Sequence, residues 1–178
     1  MDYDIRNDLI VCTGAAAGRM DLFETWTYDS NKDEWTNKTT NNAPNWRQSH
    51  RMTYDVQGGA MILFGGENAD SPLNDTWMYN ASQNIWTNIS SPASPFPRGE
   101  HALAYDRQND VVLMFGGISN GNQSVWEFHF SSKSWSEKLP PTWPSPDAQP
   151  RFAYDKKEGV FVLFNLAVDG QMKSVWVY

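Results

Sequence analysis

Apolar residues in this chain fall in short runs at regular intervals: Leu9 to Cys12, Ala60 to Phe64, Val111 to Phe115 and Val160 to Phe164. Each run is four or five residues long, rich in Val, Ile, Leu and Phe, and bounded by turn residues. That pattern predicts buried strands rather than helices. Further along each interval stands a Thr-Trp or Val-Trp pair: Thr25-Trp26, Thr76-Trp77, Val125-Trp126 and Val175-Trp176. In "TWMYN" and "VWEFHF" large residues take every second place, the period of a strand with two unlike faces. A second tryptophan follows at Trp35, Trp86 and Trp135, after Asn/Ser/Asp-rich links such as "DSNKD" and "NASQN" of hairpin length. No useful window carries an apolar period of 3.6, so the fold class predicted is all-β.

The intervals are copies of one unit. Tyr-Asp recurs at Tyr3-Asp4, Tyr54-Asp55, Tyr105-Asp106 and Tyr154-Asp155, at spacings of 51, 51 and 49 residues. The apolar runs end in Gly14-Ala15, Gly65-Gly66 and Gly116-Gly117, with Asn165 as the departure. Seven of the nine tryptophans hold repeat positions. A period of about 50 residues with four strands per unit matches a β-propeller blade. The units run about 1–46, 47–97, 98–146 and 147–178 within a single domain.

Residues 47–86 combine Arg47, His50, Tyr54-Asp55, an apolar run, Gly65-Gly66, "NDTWMY" and Trp86, and residues 98–135 repeat the order from Arg98 and His101. This pattern resembles the kelch repeat over almost the whole chain. The first unit lacks the Arg/His segment, and the fourth has Asp147 and Pro150 in its place. The resemblance implies a propeller of four-stranded antiparallel blades with its binding loops on one face. It also implies two function classes, since such propellers serve as binding modules and as enzymes, including copper-radical oxidases and sugar-acid isomerase-like proteins. Dividing 178 residues by about 50 per unit gives roughly three and a half blades, fewer than the usual four to eight. The expectation is an incomplete ring lacking the first strand of unit one and the last of unit four. It would be part of a larger propeller, completed by self-association, or closed as a small four-bladed ring.

Composition narrows the partners. A net charge of −7, with Lys and Arg scattered, argues against nucleic acid or an anionic membrane. There is no apolar run near 18 residues, so no membrane insertion is expected. Cys12 stands alone, which excludes an intrachain disulfide and a cysteine-based metal centre. His50, His101 and His129 do not share a unit segment with metal-ligand spacing. No serine-nucleophile or phosphate-loop motif is present. No cofactor is expected.

The candidate ligand-binding residues are Trp46, Arg47, His50, Asp70, Arg98, His101 and Trp143. Trp46 and Trp143 lie outside the repeat, in links where Phe96 also falls. They read either as surfaces for a sugar ring or peptide, or as plugs between blades. Arg47, His50, Arg98 and His101 read either as an anion-binding entrance or as braces, with His bonding a backbone carbonyl and Arg tying a loop. Asp70 sits with Glu67 and Asp75 in "ENADSPLND", without the spacing of a calcium loop. Each Tyr-Asp pair reads as scaffold, Tyr packing between blades and Asp capping the next turn. Sequons at Asn37, Asn74, Asn80, Asn88 and Asn122 fit an extracellular or cell-surface protein; a cytoplasmic location is the alternative. The leading expectation is a non-enzymatic propeller segment that binds a protein or glycan partner through its loop face. The alternatives are a fragment of a propeller enzyme and a structural block of a surface assembly.

Overall fold

A computed structural model describes residues 1–15, 22–117, 125–139, 149–155, 157–166 and 172–177. They contain fifteen strands and no helix. The strands form four antiparallel sheets in chain order, arranged like the blades of a four-blade propeller. Blade 1 comprises β1 (Asp2–Asp4), β2 (Leu9–Ala15), β3 (Phe23–Asp29) and β4 (Glu34–Asn37). Blade 2 comprises β5 (Arg51–Asp55), β6 (Ala60–Phe64), β7 (Thr76–Asn80) and β8 (Ile85–Asn88). Blade 3 comprises β9 (Ala102–Asp106), β10 (Val111–Phe115), β11 (Val125–His129) and β12 (Ser134–Lys138). Blade 4 has three strands, β13 (Gln149–Asp155), β14 (Val160–Leu166) and β15 (Met172–Val177). One expectation is corrected: the first unit does have its innermost strand, because Asp2–Asp4 pairs with Leu9–Val11.

The innermost strands β1, β5, β9 and β13 stand side by side in that order around a channel. Between successive blades lie three apolar clusters. The first joins Val11 and Phe23 to Met61, Leu63, Tyr79 and Trp86. The second joins Ile62 and Phe64 to Val112, Met114, Phe128 and Trp135. The third joins Leu113, Phe115 and Val125 to Phe161 and Leu163. Strands β6 and β10 are buried on both faces, which explains why the sequence gives them continuous apolar runs.

The outer-strand tryptophans of blades 2 and 3 lock the first two joints. Trp86 donates its indole N–H to Thr25 of the preceding blade at 2.9 Å, and Trp135 does the same to Thr76 at 2.9 Å. The aspartate of every Tyr-Asp pair accepts from amides of the following turn: Asp4 from Arg6 and Asn7, Asp55 from Gly58, Asp106 from Gln108 and Asn109, Asp155 from Lys157 and Glu158. The Gly-Gly pairs are required by space and by φ. Gly66 has φ +93°, and a Cβ there would lie 2.6 Å from the Gln48 carbonyl oxygen. Gly117 has φ +95°, and its Cβ would lie 2.7 Å from the Gly99 carbonyl oxygen. A side chain at either place forces backbone apart.

Candidate functional site: the loop-side mouth of the channel

The links before β5 and β9 each deliver Arg, then His, to the loop-side end of the channel. Arg47 is buried, with two bonds to the Asp75 carboxylate at 2.5 and 2.7 Å, one to the Gly65 carbonyl at 3.0 Å and one to the Asn45 carbonyl at 3.2 Å. Trp77 donates to the same carboxylate at 2.6 Å. Burial alone raises the Asp75 pKa, but the Arg47 bond and charge, with Trp77, hold it below the ordinary carboxylate range. Arg98 is also buried and donates to the Gly116 carbonyl at 2.8 Å and the Phe96 carbonyl at 3.1 Å. Burial pushes Arg98 down to about 10, opposed by the Glu137 charge.

The histidines lie between blades. His50 shares a hydrogen bond of 3.0 Å with the Thr13 hydroxyl of blade 1 and meets the Phe23 ring edge-on at 5.3 Å. Its partner is thus a neighbouring hydroxyl rather than a backbone carbonyl. Burial, then the Arg47 charge, lowers its pKa to about 3. His101 is fully buried against Phe64, with ring centroids 5.5 Å apart, and burial keeps it neutral far below its usual range. In blade 4 Pro150 takes the histidine's place, its ring beside Gly116.

Trp46 is half-buried in a concave loop site of about 230 Å³ shared with Thr39, Thr40, Asn41 and Asn45. Pro44 and Pro95 are buried while Phe96 is 60% exposed, so prolines rather than aromatics fill these links. Asp70 is exposed at a loop tip, its amide bonded to the Asn68 side chain at 3.0 Å. Trp143 lies outside the described residues. Among the described residues no three of His, Cys, Asp and Glu converge as a metal site would need.

Two residues the sequence reading passed over do face the channel. Arg51 and Arg151 each follow the His or Pro position directly; Arg51 starts β5, and Arg151 is the third residue of β13. Together with Met1, His50, Ala102 and Pro150 they line a cavity of about 250 Å³ at the channel mouth. Arg51 donates to the His50 carbonyl and Arg151 to the Pro150 carbonyl, both at 3.2 Å, which holds each guanidinium beside its own strand. Burial, then the neighbouring Arg151 charge, lowers the Arg51 pKa, with Glu100 opposing. The mouth is therefore a positive site on an acidic protein, able to take an anionic group by charge-assisted hydrogen bonds. The signal was present as Arg at one repeat position in units two and four; Ala102 in unit three broke the series.

The sequence pattern described as the KLHDC2/KLHL20/DRC7 Kelch-repeats domain matches residues 2–161. The chain belongs to the kelch-repeat family. It is 31% identical over 111 residues to the flagellar outer-arm dynein alpha chain of Chlamydomonas reinhardtii, covering 62% of this chain and 2% of that protein. It is 30% identical over 97 residues to human Kelch domain-containing protein 1, covering 53% of this chain and 22% of that protein. A putative adagio-like protein 2 of rice is 30% identical over 100 residues, covering 54% of this chain and 16% of that protein. The matched region is thus less than a quarter of each of these relatives.

Proposed function

We propose that this chain is a non-enzymatic kelch-repeat propeller segment that binds a protein partner on its loop face. The partner places a carboxylate, from an acidic side chain or a C-terminus, on Arg51 and Arg151. The observation that carries the reading is the pair of arginines lining one cavity at the channel mouth. Arg47 and Arg98 support that mouth by tying the links to the Gly-Gly segments of their own blades, and His50 and His101 support it by packing against the preceding blade. A glycan is the second reading, favoured by the half-buried Trp46 among Thr39, Thr40, Asn41 and Asn45.

A displayed library of short peptides with free C-termini, selected against residues 1–178, tests the first reading, and a glycan array tests the second. Enrichment of acidic peptides is expected, with affinity about tenfold or more weaker in the Arg51→Ala/Arg151→Ala double variant, since charge-assisted bonds contribute about 1.5–3 kcal/mol. Peptides that bind the double variant equally well sink the arginine assignment. Glycan binding lost in Trp46→Ala would transfer the function to the loop cavity. An extracellular or cell-surface location belongs to the same proposal, supported by exposed sequon asparagines at Asn37, Asn74 and Asn88. A mass loss on glycosidase treatment of protein from its native source is the expected result; an unmodified mass argues for the cytoplasm.

A further inference from the structure

One residue stands directly before each Thr-Trp or Val-Trp pair: Glu24, Asp75, Ser124 and Ser174. In three units it accepts from the indole that follows, Glu24 from Trp26 at 3.0 Å, Asp75 from Trp77 at 2.6 Å and Ser174 from Trp176 at 3.1 Å. In unit two it has a second task, the pair with Arg47. Unit four has Ser174 and, in its link, Asp147 in the arginine's place. Unit three combines a link arginine, Arg98, with a serine where the carboxylate would stand. Ser124 itself lies outside the described residues.

Arg98 is 0% exposed, and its main chain is pinned: the amide donates to the Leu73 carbonyl at 3.0 Å and the carbonyl accepts from Gly66 at 2.9 Å. Its Nε and Nη1 repeat the bonds of Arg47, to the Phe96 and Gly116 carbonyls in place of Asn45 and Gly65. The difference is at Nη2. In Arg47 this nitrogen meets Asp75 at 2.7 Å, whereas in Arg98 it is buried with no hydrogen-bond partner among the described residues. The charge of Glu137, exposed on β12, opposes the effect of burial on Arg98 but does not occupy Nη2. A planar guanidinium fixed in this way matches the two oxygens of a carboxylate.

The place of the missing partner follows from blade 2. There the Asp75 side chain is 24% exposed and Arg47 2%, so the carboxylate stands at the surface with the arginine behind it. Strands β10 and β11 keep the register of β6 and β7, Met114 pairing with Trp126 as Leu63 pairs with Trp77. The corresponding place in blade 3 is therefore also on the surface side of its arginine.

We propose that Arg98 is a carboxylate-binding site filled from outside the chain, the incoming group taking the place that Asp75 holds in blade 2. The carboxylate belongs to a small free acid or to an acidic side chain of a protein partner. The site is separate from the Arg51 and Arg151 cavity, which Arg98 does not line.

Sodium acetate, titrated into the intact 1–178 chain against sodium chloride at matched ionic strength, tests the site by melting temperature. A saturable rise of about 3 °C or more is expected with acetate and none with chloride. The blocked tripeptide acetyl-Asn-Asp-Thr-amide, copied from residues 74–76, separates the two sources. Action at about tenfold lower concentration than acetate assigns the site to a partner's side chain, and anything weaker to a free acid. Ser124→Asp supplies the carboxylate internally. It is expected to raise the melting temperature without ligand and to remove the acetate response, while Ser124→Asn keeps that response. The Arg51→Ala/Arg151→Ala variant should also respond as wild type, so the two sites are read independently. No acetate-specific rise, a Ser124→Asp variant that still responds, or a response lost with Arg51 and Arg151 would each overturn the proposal.

Discussion

Asp75→Ala is expected to lower the folding free energy by about 3–5 kcal/mol, the usual cost of leaving one member of a buried ion pair without its partner. The guanidinium of Arg47 is 2% exposed and points both terminal nitrogens at Asp75. Once the carboxylate is gone, Arg47 keeps only its bonds to the Gly65 and Asn45 carbonyls, neither of which carries a counter-charge. The Trp77 indole loses its acceptor at the same stroke. Chemical denaturation of wild type and variant measures the effect as a shift of the midpoint at constant slope. Replacing both Arg47 and Asp75 by leucine should cost much less than either single change, because a buried pair exchanged for apolar side chains is often close to neutral. A loss below about 1 kcal/mol in Asp75→Ala would mean that Arg47 is not a brace, since exposed pairs have values of that size.

The same pair fixes one branch of the acid response. Its folded pKa is lowered, so Asp75 contributes stability that is present above the unfolded carboxylate value of about 3.9. That contribution is lost as pH falls through the lower folded value. Asp75 therefore has no part in changes between pH 7 and 5.

The blades were legible in the chain because every repeat position meets the same surroundings. Tyr54, Tyr105, Trp86 and Trp135 each turn to the preceding blade and are buried by it. Tyr3 and Trp35 occupy the same places in blade 1 and stand 44% and 52% exposed. Periodicity thus identified the role of a position, while its burial depends on which neighbour is present. The braces were half-legible. Recurrence suggested that Arg47 and Arg98 tie loops, and both do reach carbonyls of the Gly-Gly segment of their own blade. The hydrogen-bond partner of His50 was not readable, because Thr13 comes from another blade and from a unit with no Arg/His segment of its own.

Arg51 and Arg151 were passed over for a related reason. A residue shared by only some units does not look like scaffold, and a charge in an inner strand does not announce which way it points. Only the register of β5 and β13 sets both guanidinium groups toward one cavity. Binding residues on a repeat scaffold are the places where copies disagree, since the fold needs sameness and a single ligand does not. Ala102 between two arginines is such a disagreement.

Lowering the pH from 7 to 5 is expected to remove about 2 kcal/mol of stability through His50, and to remove more through His101 in the same direction. Both have folded pKa values below the unfolded value of about 6.5, His50 at about 3 and His101 well below its usual range. The unfolded chain then binds protons that the folded chain refuses. Stability is accordingly complete above pH 6.5 and falls as the pH drops toward the folded values, by about 1.4 kcal/mol per unit for each histidine. From pH 7 to 5 that integrates to roughly 2 kcal/mol for His50, and His101 adds to it with the same sign. The refusal has a physical source. His101 is fully buried against Phe64, with Arg51 and Arg98 as its nearest positive charges, so an imidazolium there has neither water nor a counter-charge. Urea midpoints across this window in wild type, His101→Gln and the His50→Gln/His101→Gln double variant should show the slope falling stepwise. The variants start less stable at pH 7 but lose less on acidification. A wild-type slope that persists in the double variant would place the acid response in other groups and leave both histidines accessible to protons in the folded state.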